Sequence, residues 1–308
     1  MKLGVVSNRY SDGNDGFSAI AAAAAGLPDV LCETPNDLSA LPRVLKDFAA
    51  AGVEVLAVDG GDGTVRDVLT ALPAGFGDAW PALALLPSGK TNLIVRDVGG
   101  FGRGVEGLLR LRKRLAEGTA RTTTRRALEA VPAAGGALVR GMFCGAGVFT
   151  YATRMAGNWT YNRGIKQNAG VAVAMARTLW DSRRGREGEA CIPMATAEEG
   201  AVLPAASPHF LLLATTLEKL MLGFWPFPRQ GTGDLRWLAV AAPPRKLARA
   251  LWAAWRGRPF AGPGYRSGRT GALSVFLSAP YVVDGELFAP GEKGVVLRAG
   301  PRVRFLSD

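Results

Sequence analysis

Three glycines and one acid stand directly behind an apolar run in Leu56-Ala57-Val58-Asp59-Gly60-Gly61-Asp62-Gly63-Thr64-Val65-Arg66. Residues of these types at this spacing suit phosphate chemistry. Gly60, Gly61 and Gly63 keep side chains away from a polyphosphate, and their N–H groups, with the first turn of the following helix, form a cradle for an anion. Asp62 supplies a carboxylate for Mg2+ or for an incoming hydroxyl. A tight strand-to-helix turn without a ligand is the plain alternative. Three glycines around a single acid, between strand and helix, favour the phosphate site.

A second loop of this kind, Leu86-Pro87-Ser88-Gly89-Lys90-Thr91-Asn92, also follows an apolar strand. Lys90 can neutralise phosphate charge, and Asn92 can cap a helix or hold a ligand. Gly89-Lys90-Thr91 matches the end of a Walker A loop, but that motif needs a glycine five residues before Gly89, where Ala84 stands inside a strand. A P-loop is therefore excluded.

The elements that must position these loops alternate over residues 1–125. Leu3–Ser7, Val53–Val58 and Leu83–Leu86 are predicted as strands; Phe17–Ala25, Asp37–Ala51, Thr64–Leu72 and Val105–Ala116 are predicted as helices. Short apolar runs separated by helices predict an α/β domain whose parallel sheet is covered on both faces. Ligands of such sheets lie beyond the carboxyl ends of the strands, where the loops at Asn8, Gly60–Thr64 and Ser88–Asn92 fall.

After Arg121-Thr122-Thr123-Thr124-Arg125-Arg126 the pattern changes. Residues 126–308 read as short strands at Ala127–Val131, Leu138–Cys144, Phe210–Thr215, Leu235–Ala241, Leu273–Ser278 and Val295–Leu297, separated by Gly and Pro turns. One helix is expected, about Gly170–Trp180, with the charged stretch Arg183–Glu189 as a loop. A second, mostly antiparallel β domain follows, with the C-terminal residues returning to the first domain. There is no internal repeat.

A chain of 308 residues with 48% hydrophobic and 20% charged residues has the composition of an ordered globular protein. Its formal charge of +11 asks for an anionic partner, an acidic membrane surface or nucleotide phosphates. The arginines of 103–126, 177–186 and 245–269 lack the interleaved aromatics of a single-strand platform, which argues against nucleic acid. Cys32, Cys144 and Cys191 are odd in number and far apart, so neither a disulfide framework nor a zinc site is expected, and a reducing cytoplasm fits. The start of the sequence is too short for a signal-peptide core, and no run of about 18 uncharged apolar residues occurs. The expectation is a cytoplasmic protein bound at most peripherally to the inner face of the membrane.

Taken together, these motifs resemble the diacylglycerol kinase catalytic-domain superfamily, which includes bacterial lipid kinases, sphingosine kinases and ceramide kinases. Val5-Val6-Ser7-Asn8-Arg9-Tyr10-Ser11-Asp12-Gly13-Asn14 is similar to its opening strand and Asn-Pro-x-Ser-Gly loop, with Arg9 in place of proline. Gly60–Thr64 matches Gly-Gly-Asp-Gly-Thr in full, and Pro87–Asn92 resembles Pro-x-Gly-Thr-x-Asn with Lys90 in place of threonine. Val282-Val283-Asp284-Gly285-Glu286 resembles the late Val-Asp-Gly-Glu motif. The resemblance implies an ATP- and Mg2+-dependent lipid kinase acting on the primary hydroxyl of a neutral lipid such as diacylglycerol or ceramide. It implies a nucleotide site of Asn8, Thr34, Gly60, Gly61, Gly63, Thr64, Gly89, Lys90 and Asn92, with Asp62, Asp284 and Glu286 at the catalytic centre. It also implies metal at Asp62 and, where Gly231-Thr232-Gly233-Asp234-Leu235 resembles a structural Mg2+ turn, at Asp234. An NAD kinase-like enzyme, which shares Gly-Gly-Asp-Gly-Thr, and a catalytically silent nucleotide- or lipid-binding module are the alternatives. Oligomerisation is left open.

The stretch 217–228 is unusually apolar for a connection. It either covers the core of the second domain or is an interfacial element in which Leu220, Met221, Leu222, Phe224, Trp225 and Phe227 dip into lipid while Lys219 and Arg229 meet anionic head groups. The lone His209 has no serine triad around it and is assigned a structural or surface role.

Overall fold

The computed structural model describes residues 2–11, 14, 18–154 and 191–308. Asp12 and Gly13, the helix expected at Gly170–Trp180 and the stretch Arg183–Glu189 lie outside the described residues. Two compact units divide the chain: Met1–Ala127 with Pro301–Asp308, and Leu128–Gly300. The divisions fall within β5 (Arg121–Pro132) and β15 (Val295–Ser307).

The first unit is a parallel sheet of β1 (Lys2–Ser7), β2 (Val30–Glu33), β3 (Val53–Gly60) and β4 (Ala82–Pro87), with the end of β15 beside β4, in the order β15-β4-β3-β1-β2. Side chains alternate across a strand, yet both faces here are apolar and buried, so both must be covered. Leu3, Val5, Val55, Ala57, Ala84 and Leu86 pack with Ile20 and Ala24 of α1 (Ala19–Ala24) and Leu108 and Leu111 of α5 (Gly104–Glu117). The alternate residues Leu56, Val58, Leu83 and Leu85 are equally buried on the face served by α2 (Leu41–Ala50) and α3 (Asp62–Phe76), which pack on each other and on β3. In α2 the spacing Leu41, Val44, Leu45, Phe48 turns one stripe inward, and each such side chain contributes about 1.5–3 kcal/mol on full burial. A short helix α4 (Leu93–Val98) follows the second glycine loop. This is the parallel, doubly covered sheet expected from the sequence.

The second unit is antiparallel. β6 (Val139–Gly141) pairs β5, while β7 (Phe143–Gly147), β8 (Ile192–Glu198), β9 (Ser207–Thr215), β12 (Ala272–Leu277), β13 (Tyr281–Val283) and β14 (Glu286–Phe288) align as β14-β13-β7-β9-β8-β12-β15. β10 (Leu235–Ala241) lies between β9 and β11 (Tyr265–Thr270). Leu128, Cys144, Met194, Leu212, Trp237, Leu273, Tyr281 and Leu297 form its main core. A smaller cluster of Val148, Phe210, Phe227, Leu238 and Val240 is covered by Leu220, Trp225 and Leu247.

Two expectations for this unit are corrected. The strand expected at Leu138–Cys144 breaks at Met142, whose N–H is taken by the Asp284 carboxylate instead of by a neighbouring strand. A helix that the sequence reading did not assign, α6 (Leu247–Trp255), stands between β10 and β11. Among the described residues no helix is long and apolar enough to cross a membrane.

Candidate active site

The parallel register aligns the strand ends of the first unit. Val6 lies opposite Glu33, Ser7 opposite Asp59, Asp59 opposite Leu86, and Gly60 opposite Pro87. The loops carrying Asn8, Thr34, Gly60–Thr64 and Ser88–Asn92 therefore all leave the sheet at its carboxyl edge.

Backbone packs on backbone where the two glycine loops meet. A Cβ on Gly61 would lie 3.1 Å from the Gly89 Cα, and one on Gly89 would lie 2.5 Å from the Gly61 Cα. Ser88 N–H donates to the Gly60 carbonyl at 3.1 Å, and Arg103 donates to the Gly89 carbonyl at 3.3 Å. Gly61 is also the N-cap of α3, and being glycine it brings no capping side chain. The first amides of that helix therefore take no acceptor from a capping side chain.

Asp62, the first helical residue of α3, turns away from its own helix. Its Oδ2 accepts the Leu93 N–H at 2.8 Å and its Oδ1 the Ile94 N–H at 3.0 Å, so it caps α4 from a distance. Burial pushes its carboxyl above the usual range, against the opposing pull of the two amides and of Arg96. Asn92 enters α4 in the left-handed region at φ 48° and donates from Nδ2 to the Gly89 carbonyl at 2.6 Å. Among the described residues, Asn92 Oδ1 and Ser88 Oγ are buried without a hydrogen-bond partner, a condition that a bound polar group relieves.

The opening strand contributes Asn8, whose Nδ2 donates to Thr64 Oγ1 at 2.9 Å. Beneath it lies Asp59, which the sequence reading passed over. Its fully buried carboxylate accepts from Ser7 Oγ at 2.6 Å and Asn14 Nδ2 at 2.9 Å, and Asn14 also donates to the Asn8 carbonyl at 2.8 Å. An acid directly after the buried run Val55–Val58 was the available signal, because a buried carboxylate requires donors. Thr34 is half-buried just after β2, and Lys90 is exposed. Arg9 donates to Tyr10 and Asn36.

In the second unit the Val-Asp-Gly-Glu acids differ in surroundings. Asp284, at φ 44°, is buried, and its carboxylate accepts the Met142 N–H at 2.8 Å and the Phe143 N–H at 3.0 Å. It fastens the β13–β14 hairpin to β7. Glu286 opens β14 and is exposed.

Asp234 is exposed in the turn before β10, and among the described residues no three His, Cys, Asp or Glu side chains form a metal cluster. A phosphate-bound Mg2+, held by one or two carboxylates and water, needs no such cluster. The stretch 217–228 packs onto the second unit: Leu217 and Phe227 are fully buried, and Trp225 sits edge-on to Phe227 with ring centroids 5.3 Å apart. For Phe227 the core-covering alternative holds and the interfacial one does not, since its ring belongs to the protein core. His209 is buried, with Nδ1 2.8 Å from the Ser207 carbonyl, in a structural setting.

Comparison with known proteins agrees with this arrangement. Residues 2–135 match the family model of the diacylglycerol kinase catalytic domain. Two curated proteins of Pseudomonas aeruginosa, from strains UCBPP-PA14 and PAO1, both named "Probable lipid kinase YegS-like", are 44% identical over 57 residues. That match spans 18% of this chain and 18% of each relative. A crystal structure from Bacillus anthracis str. Sterne that bears the diacylglycerol kinase name aligns with TM-score 0.66 at 13% identity, covering 100% of this chain and 97% of the other. Another from the same strain aligns with TM-score 0.60 at 14% identity over the same shares. At such identities these two show the fold. Residues 2–135 are therefore similar to the diacylglycerol kinase catalytic domain, within a fold that the solved structures share along the whole length of the chain.

Proposed function

We propose that the protein transfers the terminal phosphoryl group of ATP to the primary hydroxyl of a neutral lipid, diacylglycerol or ceramide. The observation that carries this reading is the contact of Gly61 with Gly89 at the carboxyl edge of the parallel sheet, beside the uncapped start of α3. Two loops without side chains at their closest point leave amides, not bulk, facing a polyphosphate. The names of the Pseudomonas and Bacillus proteins support lipid as acceptor.

In the proposed reaction the lipid hydroxyl oxygen attacks the terminal phosphorus as the bond to the ADP oxygen breaks, and the hydroxyl proton passes to a carboxylate. Glu286 is the better candidate for that base, because its carboxylate is exposed whereas Asp284 is committed to two backbone amides. Such a base contributes typically 10²–10⁴-fold. Gly60, Gly61, Gly63, Thr64 and Gly89 hold the phosphates, Asn8, Thr34 and Asn92 complete the nucleotide site, and Lys90 adds positive charge. Mg2+ arriving with the nucleotide would neutralise phosphate charge, with Asp62 close to where it binds. Asp62 itself chiefly holds the second loop in register with the first. We place this activity in the cytoplasm, at the inner face of the membrane.

The test is incubation with labelled ATP, Mg2+ and mixed micelles that hold diacylglycerol, ceramide, sphingoid base or monoacylglycerol separately, with NAD in a further tube. Label in one lipid, lost in Glu286→Gln, supports the reading and names the acceptor. Label in NAD alone, or ATP binding without transfer to anything, overturns it.

A further inference from the structure

The outward face of α6 is built the wrong way round for a helix that ends at water. Leu247 packs on the cluster of Val148, Phe210 and Phe227, and the small residues Ala250 and Ala254 point inward, 9% and 6% exposed. The Trp225 N–H donates to the Ala254 carbonyl at 2.8 Å and fixes the helix in place. On the opposite side, Ala248, Leu251, Trp252 and Trp255 follow the i, i+3, i+4, i+7 spacing of one helical stripe. Leu251 is 37%, Trp252 55% and Trp255 62% exposed, so the largest apolar side chains of the helix are turned outward. A contiguous exposed apolar stripe of this kind marks an interaction surface.

Its charge identifies the occupant. Arg245, Lys246, Arg249, Arg256 and Arg258 are all exposed around the stripe, and Arg256 lies over the Trp252 ring at 4.2 Å. No Asp or Glu occurs between Asp234 and Asp284. A second copy of the chain docked on this face would bring two such cationic clusters together, which is unfavourable. A single-strand nucleic acid would need aromatic faces along a groove, whereas these indoles share one convex helix side with Leu251. An anionic bilayer satisfies both components. Indole rings favour the head-group level, and Arg and Lys stems lie along apolar surface while their heads reach lipid phosphates.

We propose that α6 is an interfacial helix that seats the second unit on an anionic membrane surface through Leu251, Trp252 and Trp255, ringed by Arg245, Lys246, Arg249, Arg256 and Arg258. The choice of a bilayer rests on the lipid-kinase reading, which it deepens by assigning the membrane contact to α6 in place of 217–228.

The full chain is sedimented with vesicles of phosphatidylcholine alone or with about 30% phosphatidylglycerol, alongside Trp252→Ala/Trp255→Ala and Arg249→Glu/Arg256→Glu. The parent is expected on the anionic vesicles only, and each double variant to bind at least about tenfold more weakly. Both variants should keep the parent's turnover on a short-chain lipid dispersed in detergent, so lost binding is separated from lost chemistry. Vesicle binding by a parent that phosphorylates no lipid would leave α6 as an interfacial helix and sink the kinase reading alone. The inference is overturned if the parent ignores anionic vesicles, if both variants sediment as the parent does, or if the parent is a dimer that the Trp variant converts to monomer. Should the Trp variant misfold, the charge variant decides in the same way.

Discussion

Asp62 Oδ2 lies 2.8 Å from the Leu93 nitrogen, so the first residue of α3 caps a helix that begins 31 residues later. Asp62→Ala strips two helix-terminal amides of their acceptor and should destabilise the first unit by about 1–3 kcal/mol, read as a lower urea midpoint. The pH dependence has a definite sign. Because burial raises the folded-state pKa above the ordinary 3.8, stability contributed by Asp62 is fully present below that value and is lost as pH rises through the raised one. Asp62→Asn should flatten the part of the slope that lies above 3.8, and an unchanged slope would refute the assignment.

The two loop glycines should differ in tolerance. An added Cβ meets backbone at 2.5 Å from Gly89 but at 3.1 Å from Gly61. Gly89→Ala is therefore expected to destabilise by about 1–3 kcal/mol and weaken nucleotide binding, with Gly61→Ala milder in stability. Equal thermal midpoints for the two variants would contradict the close approach.

Asp284 and Glu286 should part company in the same pair of assays. Asp284→Ala leaves the Met142 and Phe143 amides unpaired and should lower the melting temperature. Glu286→Gln should reduce kcat by about 10²–10⁴-fold if Glu286 is the base. Full turnover in Glu286→Gln would remove it from that role.

Cys32 reports on the carboxylate beneath the first loop. Burial first, then the charges of Asp59 and Glu33, pushes its thiol up to about 12. Alkylation of Cys32 in the native protein should be negligible at pH 8, since the thiolate is the reacting form. Asp59→Asn removes one of the two charges and should move the onset of alkylation to lower pH. An onset that does not move would refute the coupling of Cys32 to Asp59.

The sheet of the first unit was readable because its evidence is local: apolar runs such as Val53–Val58, each followed by a glycine loop, fix both the strand and the edge at which the loop emerges. What escaped reading depends on partners distant in sequence. Nothing near Met142 announces that Asp284 will break the strand there, and nothing near Asp62 announces Leu93 and Ile94. Phe227 and Trp255 are both large and apolar, and only the tertiary packing decides that Phe227 is enclosed and Trp255 is left outside. The α6 segment was hidden by its own composition, since arginines between alanines read equally as a solvated connection.

The last strand imposes an order on synthesis. β4 has its parallel neighbour on one side in Phe305 and Leu306, and Arg114 of α5 is held by Asp308 at 2.6 Å, although residues 128–300 must be made in between. Until residues 301–308 leave the ribosome, β4 presents an unpaired, apolar edge to the cell. The nascent first unit thus keeps an open sheet edge for the time it takes to translate the second.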